Sequence, residues 1–153
     1  MNVSTISITV NEDSLALTQF SSVTGIISIN IGNEYFPEEI WNDFIITILY
    51  WWLSEARKLS EQEENTIDCC FMDGSYGFSL WQTDDTNKWG LTFHEDINQK
   101  VFDSEIFYVS KDQFLNELAC KVHIVLGFCQ KRQWANIEID GLTKLYQFDN
   151  AIH

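Results

Sequence analysis

The sequence predicts an α+β fold: a single antiparallel meander sheet of about five to seven strands packed against two main helices. Three observations predict it. Residues 3–31 and 66–109 carry short runs in which apolar and polar residues alternate, the period of two that sets successive side chains on opposite faces of a strand. Residues 37–59 and 110–131 instead repeat apolar residues at three- and four-residue spacing. The aromatic share, 14%, supplies apolar area enough to offset chain entropy, so the chain builds a packed core instead of staying disordered.

Taken in order, residues 3–10 set Ile6, Ile8 and Val10 on one face, Asn11, Glu12 and Asp13 turn the chain, and residues 14–20 and 25–31 continue the meander. Gly32 and Asn33 break it. Residues 37–59 form the scaffold helix: Pro37 suits a first helical position, Glu38 and Glu39 favour the positive end of the dipole, and Arg57 and Lys58 sit near the other end. Trp41, Phe44, Ile45, Ile48, Trp52, Ala56 and Leu59 form one stripe and Ile46, Leu49, Tyr50 and Leu53 a second, so the helix needs a sheet on one side and a helix or loop on the other. Trp51 and Trp52 are read as core, although Trp and Tyr also concentrate binding energy at interfaces. The apolar centre, residues 44–53, is well short of the ~20 residues that span a bilayer.

Residues 60–65 read as a solvated acidic loop or frayed helix end. Strands 66–72 and 76–82 flank Asp73-Gly74-Ser75, where Gly74 supplies a positive φ. Residues 83–87 turn into strand 88–94, with Trp89, Leu91 and Phe93 on one face, and after a polar turn residues 100–109 form a strand whose Asp103 and Glu105 suit a sheet edge. Ser110 and Gln113 make a capping box, with Gln113 reaching back, and open a second helix to about Lys131. Over residues 135–148 the signal divides between strand and a short terminal helix, and the helix is preferred. No linker interrupts the chain, whose one proline is Pro37, so residues 1–153 read as a single domain.

With 23 Asp and Glu against 9 Lys and Arg, the net charge is -14, a field that repels nucleic acid and anionic membrane and attracts basic macromolecules. Residues 1–10 lack the basic and apolar regions of a signal peptide, which predicts a cytoplasmic protein. Cys69, Cys70, Cys120 and Cys129 form no CxxC pair and read as reduced thiols. His94, beside Glu95 and Asp96, reads as a surface residue at a strand end. His123, one turn from Cys120, reads as a surface or satisfied core histidine, with no placed base to make a nucleophile. Phosphate loops, GxSxG and HExxH are absent, so no catalytic residue, metal site or cofactor is assigned and the protein is read as a non-enzyme.

Acidic residues crowd the central turns and strand ends: Glu61, Glu63, Glu64, Asp68, Asp73, Asp84, Asp85, Glu95 and Asp96, with Lys88 the one positive charge between Glu61 and Glu95. If these loops converge, they form a face for a basic protein. The opening strands, the Trp-rich helix with Phe36, Trp41, Phe44, Trp51 and Trp52, the hairpin Phe71-Met72-Asp73-Gly74-Ser75-Tyr76, the meander and the later amphipathic helix together resemble the small acidic immunity proteins of bacterial toxin-immunity pairs, such as those of contact-dependent growth inhibition and polymorphic toxin systems. That resemblance lies in layout and carries no site residue. It implies cognate binding to a toxin domain, often a basic nuclease, within the cytoplasm of the producing cell. The alternatives are a small-ligand-binding or enzymatic α+β domain with a pocket between sheet and helices, and a structural subunit that associates through the aromatic helix.

Overall fold

A computed structural model describes residues 2–95 and 105–152. Its strands are β1 (Ile6–Leu17), β2 (Val23–Ile31), β3 (Glu34–Phe36), β4 (Asn42–Asp43), β5 (Thr66–Cys70), β6 (Tyr76–Gln82), β7 (Lys88–Glu95) and β8 (Phe107–Ser110). Its helices are α1 (Ile45–Ser60), α2 (Lys111–Lys131) and α3 (Ile137–Ile152). The class is α+β, as expected. The strands divide, however, into two four-stranded antiparallel sheets, β1-β2-β3 with β4 also on β2, and β5-β6-β7-β8. The chain stitches the two together before β1 begins: Val3 bridges Tyr108 of β8, and the N–H of Ser4 donates to the Tyr108 carbonyl at 2.8 Å.

Residues 11–13 do not end the first strand. Ser14 Oγ donates to the Asn11 carbonyl and accepts from Ile26 N–H at 2.8 Å, while Asn11 Oδ1 accepts from Asp13 N–H at 2.9 Å. These side chains replace ladder bonds across a bulge, so β1 runs on and turns only after Leu17. There Thr18 Oγ1 accepts from the N–H groups of Phe20 and Ser22, and Ser21 adopts φ 64°.

The scaffold helix starts at Ile45, not at Pro37. The stretch before it is committed to the first sheet: Ile27 N–H donates to the Trp41 carbonyl at 2.9 Å, and Asn42 and Asp43 pair with Ile26 and Gly25. Glu38 and Glu39 therefore lie outside the helix and do not serve its dipole. Buried Asp43 takes that place. Its carboxylate accepts from Phe44 N–H at 2.7 Å, Trp41 Nε1 at 2.8 Å and Met72 N–H at 3.1 Å, joining β4, the start of α1 and the β5–β6 hairpin.

Most of both apolar stripes is buried, Ile45, Ile48, Trp52, Ala56 and Leu59 on one and Ile46, Leu49 and Leu53 on the other, but Trp41 and Phe44 precede the helix and Phe44 and Tyr50 are exposed. The helix packs against β2, β5 and β6 and against α2 and α3. Trp52 meets Phe71 and Phe78 edge-on, with ring centroids 5.2 and 5.0 Å away, and its indole N–H donates to the Cys70 carbonyl at 2.9 Å. Phe36 of the first sheet stacks on Phe93 of the second at 4.4 Å, so the sheets share one core.

Asp73, not a left-handed Gly74, closes the β5–β6 turn, its Oδ1 accepting from Ser75 N–H at 3.1 Å and its carbonyl from Tyr76 N–H at 3.0 Å. The expected strand 100–109 is seen only over Phe107–Ser110, as β8; Glu105 and Ile106 precede it outside any strand, and residues 100–104, with Asp103, lie outside the described residues. Ser110 caps α2 by accepting from Gln113 N–H at 3.2 Å, but the Gln113 side chain does not reach back. Its Oε1 accepts from Ile6 N–H at 3.2 Å, and Glu117 Oε1 accepts from Ile8 N–H at 2.9 Å. Four residues of helix rise ~6 Å and two residues of strand ~6.8 Å, which lets these two side chains meet alternate β1 N–H groups. The terminal helix is confirmed in α3. Asn136 Oδ1 accepts from Ile139 N–H at 2.7 Å, and Ile139 and Leu142 are buried while Ile137 is 89% exposed.

Two outcomes follow from this packing. Asp43→Ala leaves three donors of the interior or its edge without their acceptor and is expected to lower unfolding free energy by about 3 kcal/mol, with Asp43→Asn costing less, read from urea midpoints. Burial pushes the Cys129 thiol up to about 11 from an ordinary 9.0. The unfolded chain then loses this proton at lower pH than the folded one, so stability falls as pH rises from about 9 to about 11, and Cys129→Ala flattens that limb of a pH–stability curve.

Candidate functional site

The second sheet has two ends, and the predicted acidic residues are shared between them. At one end, α1 stops in a Schellman motif: Gln62 adopts φ 62°, Gln62 N–H donates to the Leu59 carbonyl at 3.1 Å and Glu63 N–H to the Lys58 carbonyl at 2.9 Å. Gln82 ties this segment to β6, its Nε2 donating to the Leu59 carbonyl at 2.6 Å and its N–H to the Asn65 carbonyl at 3.0 Å. Residues 60–65 are thus a held turn and not a frayed end. They expose Glu61, Glu63 and Glu64 beside the β6–β7 turn, which carries Asp84 and Asp85.

Asp85 is partly committed within its own turn. The Asn87 N–H, 2.9 Å from Oδ1, holds its carboxyl below the usual range; partial desolvation opposes this, and Lys88, 3.5 Å away, adds to it. Glu61, Glu63 and Glu64 occupy the negative end of the α1 dipole, where cations are the stabilising choice. Three carboxylates at that position add their charge to the dipole, at the same end of the second sheet as Asp84 and Asp85.

The remaining predicted residues lie elsewhere. Asp73 is in the β5–β6 turn and Glu95 ends β7, both at the opposite end of the sheet. Glu95 hydrogen-bonds the Tyr76 hydroxyl, whose pKa is raised by partial burial first and by the Glu95 charge second. Asp68 is on the outer face of β5, where Oδ1 accepts from Ser79 Oγ at 2.5 Å. Asp96 lies outside the described residues.

Charge reasoning overlooks a second surface. Trp52 is fully buried, but Trp51 is 39% and Tyr50 42% exposed, so Trp51 is not core. Both line a groove of ≈ 430 Å³ between α1 and the β5–β6 hairpin, with Glu55, Asp68 and Cys70 beside them and Met72 at one edge. Burial raises the Cys70 pKa, and the Asp68 and Glu55 charges raise it further, so both carboxylates act on the groove wall. A larger cleft of ≈ 520 Å³ among the three helices is lined by Arg57 and Lys111 together with Asp112 and Asp149. His94 faces Gly77 across the β6–β7 ladder, and His123 is exposed 6.2 Å from the Tyr146 ring. Among the described residues no group of three or more His, Cys, Asp or Glu is arranged to hold a metal ion, and all four cysteines are free thiols. No helix among them is long and apolar enough to cross a membrane.

Comparison with protein-family models, with curated proteins and with solved structures finds no match. The negative end of α1 is also where a charge change alters stability. Glu63→Lys and Glu64→Lys are each expected to raise unfolding free energy by about 0.3–1 kcal/mol at low ionic strength, with the gain shrinking in salt, as measured by urea denaturation.

Proposed function

We propose that this protein is an immunity protein: a non-enzymatic, cytoplasmic inhibitor that binds one cognate, basic, nuclease-type toxin domain through its acidic surface and neutralises it. The observation that carries this reading is the placement of Glu61, Glu63 and Glu64 at the negative end of α1, next to Asp84 and Asp85. Stability alone favours the opposite charge there, so the arrangement trades stability for a concentrated negative field. Glu61, Glu63, Glu64, Asp84 and Asp85 are the contact residues proposed at this end, with Asp68, Asp73 and Glu95 reaching a partner only if it extends along the sheet. A rim of this kind steers encounter with a basic partner and sets the rate of association more than the final affinity.

The space between the helices and the second sheet is filled by Trp52, Phe71, Phe78 and Phe114, which favours a surface reading over a pocket between sheet and helices. The test uses the product of the gene immediately upstream in the native chromosome, where a toxin gene belongs on this reading. Mixed with it, the protein is expected to form a 1:1 complex that abolishes nuclease activity. Its association rate should fall about tenfold or more between about 0.05 M and about 0.5 M salt. Neutralising Glu61, Glu63, Glu64 and Asp84 together should slow association at low salt. A complex whose association is indifferent to salt and to these substitutions sinks the electrostatic reading, and the absence of a complex sinks the immunity role with that product.

A further inference from the structure

The groove between α1 and the β5–β6 hairpin has a composition that folding does not require. Trp51 and Tyr50 follow Leu49 and precede Trp52, both fully buried, so the backbone that presents the two half-exposed rings is fixed by the core. Glu55 lies one helical turn beyond Trp51, and Asp68, one of whose carboxylate oxygens accepts from Ser79 Oγ, lines the groove from β5. Indole and phenol faces bounded by carboxylates attract a cation that has apolar or planar surface of its own. The molecule offers little to fill that role: Lys58 reaches Glu55 at 3.0 Å as a half-exposed pair, a contact of small energy. A second copy of this chain would bring another charge of -14 to the same acidic groove, which opposes self-association there.

We infer that this groove is the seat for an arginine side chain of a basic protein partner, its guanidinium stacked on Trp51 and Tyr50 and hydrogen-bonded to Glu55 and Asp68. Arginine fits better than lysine because its planar guanidinium stacks on an aromatic face and donates to two carboxylate oxygens in one geometry. A groove of ≈ 430 Å³ accommodates one such side chain and the backbone beside it. The inference rests on the basic-partner reading above and adds a short-range anchor to it: the acidic end steers, and the aromatic groove holds.

The test uses a blocked tri-arginine peptide as probe, titrated into the intact protein and followed by the Trp indole and Gly74 amide NMR signals. The Trp51 indole and Gly74 amide are expected to move. Trp51→Ala and the pair Glu55→Gln/Asp68→Asn should each weaken binding about three- to tenfold, while Trp51→Phe retains most of it. Lys58→Gln, which releases Glu55, should tighten binding, and Glu61→Gln/Glu63→Gln/Glu64→Gln should leave the groove shifts in place. Tri-lysine should bind more weakly. Shifts confined to Asn65 and residues 84–87 with Trp51→Ala binding unchanged, or no binding at all, overturn the groove assignment. The two readings fail separately. A salt-sensitive complex with the upstream gene product that ignores Trp51→Ala keeps the basic partner and removes the groove; tri-arginine seated at Trp51 with no such complex keeps the groove and removes that partner.

Discussion

The Asp43 carboxylate is the contact on which the rest of the arrangement depends. It is buried, it lies at the join of β4 and α1, and its three donors come from Trp41, Phe44 and Met72. One donor belongs to the residue just before the helix, one to the stretch that pairs with β2 and one to the hairpin of the other sheet. A buried carboxylate is tolerated only when such bonds replace its water, and the positive end of α1 adds to them. The group thereby fixes where the helix begins and how the β5–β6 hairpin meets it. Around it Trp41 sits 5.0 Å from Tyr76 and 6.1 Å from Phe71, which makes the polar contact the centre of an aromatic seam between the sheets.

Placement of that seam explains why consecutive aromatic residues of α1 have opposite fates. Successive residues of a helix are turned by about 100°, so once Trp52 enters the seam Trp51 must leave it. Trp52 is the ring that ties the helix to Phe71, Phe78 and the Cys70 carbonyl. Its neighbour then becomes surface, beside β5 and two carboxylates. The same helix both fills the core and arms the exterior, and its far end carries three further carboxylates beyond the Schellman turn.

Much of this was legible in the residues. The α+β class, α2 with its Ser110 cap, and the strands at 66–70, 76–82 and 88–95 all follow from local periodicity, because the side chains that set it are the ones that become buried. Pro37, Glu38 and Glu39 make a persuasive helix start that tertiary pairing overrides, since residues 41–43 bond to β2. Asn11 to Ser14 has turn composition, yet its side chains bridge a bulge, an outcome that depends on Ile26 being opposite. Partition of the strands into two sheets depends on which strands pair with which, and their joining on Val3 reaching Tyr108 far away in sequence, and no local pattern encodes either. For the candidate site, the acidic character was plain from composition. Which carboxylates share an end was not, because it depends on strand direction and on the Gln82 contacts with Leu59 and Asn65. Trp51 was within reach of sequence reasoning, as the residue one step out of register with Trp52.

The contact between α2 and β1 has a consequence for the behaviour of the chain at high concentration. The N–H groups of Ile6 and Ile8 point away from β2 and would otherwise line an open edge of the first sheet; Gln113 and Glu117 accept from both. A helix side-chain ladder therefore ends the sheet where another molecule's strand would begin, and one of the two acceptors is charged. Edge-to-edge growth toward fibrils is blocked along this border by the same two residues that dock the helix. Protection against aggregation is thus not a separate surface device but a by-product of how α2 is held.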